Sequence, residues 1–193
     1  MRILELLGQA LRPFRSDDSK LLQSSDEVAN APQKFPVTSS AFRDGEKIPV
    51  TYTIDGQKLF PRISWSDQPA DCRSLLLVIE DPDAPKPTPF IHGILYNIPP
   101  SLMTLQENAF SETGVQSSLI NAGVRPGKNT LSKAAYMPPS PPPGHGPHHY
   151  HFQMIALDTI LNLTEAPPTL EAIKDAIHGH VLATGETVGL YEK

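Results

Sequence analysis

Three stretches of this chain hold residue types that can do chemistry. Asp81-Pro82-Asp83-Ala84-Pro85 sets two carboxylates between prolines. A residue before proline is biased to extended backbone, which fixes where a carboxylate points. His92 stands alone ahead of Gly93-Ile94-Leu95-Tyr96-Asn97-Ile98-Pro99. Tyr136 to His151 reads YMPPSPPPGHGPHHYH and holds four of the seven histidines: His145, His148, His149 and His151. Two imidazoles with converging N–H groups can donate to an oxyanion, and a carboxylate behind one of them fixes its tautomer or stabilises its charge. Asp81 is the choice for that role; an unpaired carboxylate would repel an anion, so Asp81 should hydrogen-bond to a histidine or carry a proton. Asp83 reads as a brace of the loop. Tyr150 offers a hydroxyl donor, and Ser140 a hydroxyl or backbone N–H. Each residue also has a plain structural reading, as an Asx turn capping a strand or a satisfied core histidine.

Two other chemistries draw on the same residues. Ser140 as a nucleophile activated by His148 or His92 would make a hydrolase, although Ser140 lies between prolines and not in a G-x-S-x-G elbow. His145, His148, His149 and His151 could hold zinc, copper or nickel. They lack the H-x-x-x-H spacing and the nearby carboxylate of a built metal site.

These residues need a stiff scaffold. Prolines number 21 in 193 residues, roughly twice the usual share of about 5 %. Six lie between 138 and 147 and four between 82 and 89. Proline lacks the amide proton of a helix interior, which argues against a helical bundle, while 39% hydrophobic and 19% charged residues support a packed core. Strands are expected at Val50–Ile54, Ser74–Glu80, Ile91–Ile98, Tyr150–Leu157 and Thr187–Tyr191. Alternation places His148 and Tyr150 on one face, His149 and His151 on the other. A helix is expected over 168–178 and a long ordered loop over 121–147. Residues 2–12 carry an apolar stripe ending at Pro13, readable as a flap on the body or on a second chain, a weak membrane-surface helix, or an organelle-targeting segment. Residues 15–34 are polar and read as a linker. The organisation is therefore 1–34, an amphipathic helix and linker, and 35–193, one β-rich domain.

A net charge of -5 speaks against nucleic-acid binding. No run of 18 apolar residues exists to span a membrane. The lone Cys72 forms no internal disulfide, which fits a reducing, cytoplasmic setting. The sequon at Asn162-Leu163-Thr164 has no secretory context.

In order and spacing, Ile48-Pro49, Pro61 through Trp65, D-P-D-A-P, His92, Tyr96 through Pro99, Tyr136 through Tyr150, Ala156-Leu157-Asp158 and Gly179 through Ala183 resemble the phosphatidylethanolamine-binding protein (PEBP) family, in its bacterial, archaeal and fungal branch. The resemblance covers most of 35–193. It implies a mainly β fold, with a large antiparallel sheet packed on a smaller one and a few peripheral helices. It also implies a non-enzymatic binding role: a surface pocket for phosphate or a phospholipid headgroup, no cofactor, and regulation of a kinase or protease partner. The family's pocket maps onto Asp81, Asp83, Pro85, His92 and His148, with the 136–144 loop and Tyr150 beside them. Gly93 departs from the family's aromatic at that place, Met137-Pro138 from its glycine, and Ser140 from a frequent cysteine.

Overall fold

The computed structural model describes residues 2–193. Helices α1 (Arg2–Leu11) and α2 (Asp26–Ala29) precede the body, and α3 (Ser117–Asn121) and α4 (Leu170–Ile177) punctuate it. The strands are β1 (Gln33–Lys34), β2 (Val37–Ser39), β3 (Glu46–Lys47), β4 (Ile63–Trp65), β5 (Ser74–Asp81), β6 (Phe90–Ile98), β7 (Thr104–Leu105), β8 (Phe110–Ser111), β9 (Gly114–Val115), β10 (Arg125–Gly127), β11 (His148–Leu157) and β12 (Val181–Tyr191). A seven-stranded sheet runs β1-β12-β11-β5-β6-β10, with β3 also on β12, and a three-stranded sheet runs β2-β4-β7.

The central strand β5 is buried at all eight residues, as its unbroken apolar run demands. Alternate residues feed two cores. Leu75, Leu77 and Ile79, with Phe152 and Met154 of β11, face Ile63, Trp65 and Leu105 of the small sheet. Leu76 and Val78, with Ile155 and Leu157, face Leu170, Ile173 and Ile177 of α4. That helix starts where the Thr169 hydroxyl accepts from the Ala172 amide, a normal N-cap.

Two local expectations fail for physical reasons. Val50–Ile54 alternates like a strand, but Val50–Tyr52 is a 3-10 turn. Pro49 starts it, and Thr53 folds its amide and hydroxyl back onto the Val50 carbonyl. Residues 15–34 do not run free. Leu21, Leu22 and Val28 are buried, and Leu22 and Val28 belong to the second core.

Candidate functional site

At the end of β5, a cavity of about 220 Å³ is lined by Asp81, Ala84, Pro85, Lys86, Phe90, His92, Met137, Ser140, Pro142 and His148. The sheet explains this meeting. Asp81 pairs with Phe90 at the β5–β6 end, and β11 antiparallel to β5 brings His148 alongside. Two expected residues stand outside the lining. Asp83 is held by the loop: Oδ1 accepts from Arg15 Nη1 at 2.6 Å, and Oδ2 accepts from the His149 amide and Nδ1. Tyr150 lies beneath the pocket, its ring 5.1 Å from that of His92 in an edge arrangement. Burial pushes its hydroxyl well above the usual range, so it keeps its proton. Lys86, which stacks over Phe90 at 5.4 Å, is a pocket cation that sequence reasoning missed, although it directly follows the D-P-D-A-P motif.

Asp81 Oδ2 lies 2.7 Å from His148 Nδ1 and 3.9 Å from His92 Nε2, and Oδ1 accepts from the Asp83 amide. Burial pushes the Asp81 carboxyl up, but the hydrogen bond from His148, with His92 nearby, outweighs that and holds it at about 2. Proton positions follow from the acceptors. The Leu11 carbonyl, 3.0 Å from His145 Nε2, can only accept, so that nitrogen carries hydrogen. Burial, with His148 and Arg15 nearby, lowers the His145 imidazole. It is neutral, and its bare Nδ1 accepts from His148 Nε2 at 2.8 Å. His148 therefore donates from both ring nitrogens, to Asp81 and to His145. His92 differs. Its Nδ1 donates to the Met137 carbonyl at 2.7 Å, and Nε2 has no hydrogen-bond partner among the described residues.

The expected pair of converging N–H donors is thus reduced to one nitrogen, His92 Nε2. His148 supplies its charge from behind, paired with Asp81. Neutral His92 presents a lone pair at Nε2, so it becomes a donor to an anion only by taking a second proton.

The alternative chemistries find no support in this geometry. Among the described residues no histidine nitrogen is hydrogen-bonded to Ser140 Oγ. His149 turns to Asp83 and His151 to Glu186. No group of three His, Cys, Asp or Glu among the described residues is placed to hold a metal ion.

A family model described as phosphatidylethanolamine-binding protein matches residues 38–192. The chain belongs to the PEBP family. It is 39% identical over 155 residues to a UPF0098 protein of Pyrococcus horikoshii, covering 80% of this chain and 75% of that one. It is similar to the crystal structure of a PEBP homolog from Chlamydia trachomatis, at TM-score 0.73 and 36% identity, covering 83% and 99% of the two chains. The phomoidride biosynthesis cluster protein B of a fungal species is 31% identical over 205 residues, covering 100% of this chain and 95% of its own. The mainly β fold and the non-enzymatic binding character of the family carry over with this membership.

Against the PEBP pattern, Gly93 has a local reason. A Cβ there would lie 2.7 Å from Phe110 Cε1, so Phe110 of β8 fills the space of the missing side chain. The residues ahead of the family match also reach the site. Helix α1 lies against the 142–146 loop with Gly8 toward the Pro143 carbonyl, where a Cβ would stand at 1.9 Å. Arg12 Nε donates to the Gly144 carbonyl at 2.9 Å. No sequence signal could have shown that Leu11 anchors His145, since the two are 134 residues apart.

Proposed function

We propose that the pocket of this PEBP-family protein binds a small oxyanion, phosphate or the phosphorylated headgroup of a lipid, and takes up a proton at His92 as it does so. One observation carries the reading: Nδ1 of His92 is committed to the Met137 carbonyl, so the nitrogen left at the cavity gains a hydrogen only when the ring is charged. Asp81, Lys86, His148 and Tyr150 are the titratable groups around that ring. The Asp81–His148 pair is internally neutralised, and Lys86 adds a cation at the wall. A cavity of about 220 Å³ suits a headgroup and leaves acyl chains outside. The fungal relative aligned over the whole chain is named for a biosynthesis cluster, so a free phosphorylated small molecule is tested beside the lipid headgroup as the source.

The test is a titration of the full chain with inorganic phosphate, phosphoethanolamine and a short-chain phosphatidylethanolamine, followed by histidine ring NMR at pH 5.5 and 7.5. His92 should shift with millimolar phosphate, more tightly at pH 5.5, with net proton uptake on binding. Equal affinity for the first two probes points to a free phosphate group. A gain for the lipid points to the headgroup source. An unmoved His92 at millimolar concentrations of all three overturns the proposal.

A further inference from the structure

A second and larger cavity, about 520 Å³, opens on the opposite face of the large sheet, beside α4. Leu21, Pro89, Ile91 and Leu170 give it apolar walls, and Lys20, Lys128 and Lys174 line it as well. Its floor holds Glu80, adjacent to Asp81 in the chain but facing the other way, and 2% exposed. Glu80 Oε2 accepts from the Leu22 amide and from Gln153 Nε2, each at 2.8 Å. Oε1 has no donor within reach among the described residues, and it is not sealed from the cavity.

We propose that this cavity binds a small amphipathic carboxylate, its headgroup between Glu80 Oε1 and Lys174 and its apolar body against Ile91 and Leu170. Oε2 already takes two N–H donors, so the proton of a neutral Glu80 belongs on Oε1, where it can be donated to a ligand carboxylate. Burial favours that neutral form. The Lys174 ammonium uses one of its three hydrogens on Glu171, which leaves two for a ligand. Lys20 donates to the Pro87 carbonyl and Lys128 to Glu165. A volume of this size lies within the usual range for small-molecule sites. An aliphatic or phenyl body is what the four apolar walls can desolvate.

Octanoate, octylammonium and 1-octanol provide the test, titrated into the full chain and read by methyl and amide NMR. Octanoate should move Ile91 and Leu170 and bind at least tenfold more tightly than the other two. Lys174→Met should lower octanoate affinity about tenfold and leave octanol unchanged. Ile91→Trp, which fills the cavity, should abolish all three; a cooperative thermal melt checks that this variant folds, and Lys174→Met stands if it does not. The proposal is overturned if octanol or octylammonium matches octanoate, if nothing binds at millimolar concentration, or if the shifts fall on α1 or on Phe90 and His92.

Discussion

His148 Nε2 stands 2.8 Å from His145 Nδ1, and the His145 ring bridges on to the Leu11 carbonyl at 3.0 Å. One imidazole thus ties the pocket's charged pair to the end of the N-terminal helix. Apolar side chains of that helix face outward, with Ile3 75% and Leu6 62% exposed, so no packed stripe holds it down. Its attachment is polar and backbone-mediated: Arg15 to Asp83, Arg12 to Gly144 and Leu11 to His145.

Truncating His145 should therefore act at two places. His145→Ala leaves His148 Nε2–H and the Leu11 carbonyl without a partner, at a cost of about 1–3 kcal/mol. Urea denaturation measures that loss. Trypsin cleavage after Arg15, which precedes Ser16, should quicken in the same variant, reporting release of the N-terminal segment.

Acid should loosen the same contact. Docking needs neutral His145, because Nδ1 must accept from His148. The folded value is held below the ordinary imidazole value by burial, so the contribution is complete above about 6.5 and is lost as pH falls through the lowered value. Below it, His145 meets His148 and Arg15 as a third cation, with Asp83 the one nearby carboxylate among the groups acting on it. Nuclear Overhauser contacts between Gly8 and Pro143 should be strong at pH 7.5 and fade on acidification. In His145→Ala they should be weak at both ends of the range.

Gly8 gives a test whose sign decides. In an exposed helix interior, Gly→Ala stabilises by about 1 kcal/mol. Here the new Cβ would stand 1.9 Å from the Pro143 carbonyl oxygen, a backbone atom. Gly8→Ala should therefore lower the Tm and speed tryptic cleavage after Arg15. A raised Tm would mean that α1 does not dock as described.

Much of this fold could be read along the chain. The apolar run of β5 and the stripe of α4 each express one local rule. The prolines announced stiff loops on a β body, the family resemblance put a pocket between two of them, and alternation along β11 set His148 on the face of Tyr150. What escaped was long-range or sparse. Leu21, Leu22 and Val28 are too few among polar neighbours to announce a packed segment. The link from Leu11 to His145 has no local signature, and the second cavity depends on parts from five separate stretches of chain. Val50–Ile54 misled because alternation alone does not reveal that Pro49 and the Thr53 hydroxyl favour a turn.

Asp81 ties stability to pH. Its folded carboxyl lies at about 2 against an ordinary value of 3.8, a difference of about 2 kcal/mol in favour of the charged form. That contribution is complete above the unfolded value and disappears as pH falls through the folded one. Asp81→Asn should thus cost about 2 kcal/mol at pH 5 to 7, with the gap between variant and parent closing toward pH 2. Urea midpoints across that range measure it. A constant gap would mean that Asp81 stabilises through shape and not through its charge.

Gly93 and Phe110 make a pair that can be exchanged. The ring of Phe110 occupies the place a side chain at 93 would take, 2.7 Å from its Cβ, and Phe110 is itself fully buried. Gly93→Ala should then cost about 1–3 kcal/mol by overpacking, although alanine suits an extended backbone better than glycine. Phe110→Leu alone should also destabilise, by leaving a void. In the double variant the smaller leucine side chain can move away from the new methyl, so the combined loss should be less than the sum of the two. The double-mutant cycle reads that difference directly. Strict additivity would show that the two positions do not share the space, and that Gly93 is present for some other reason.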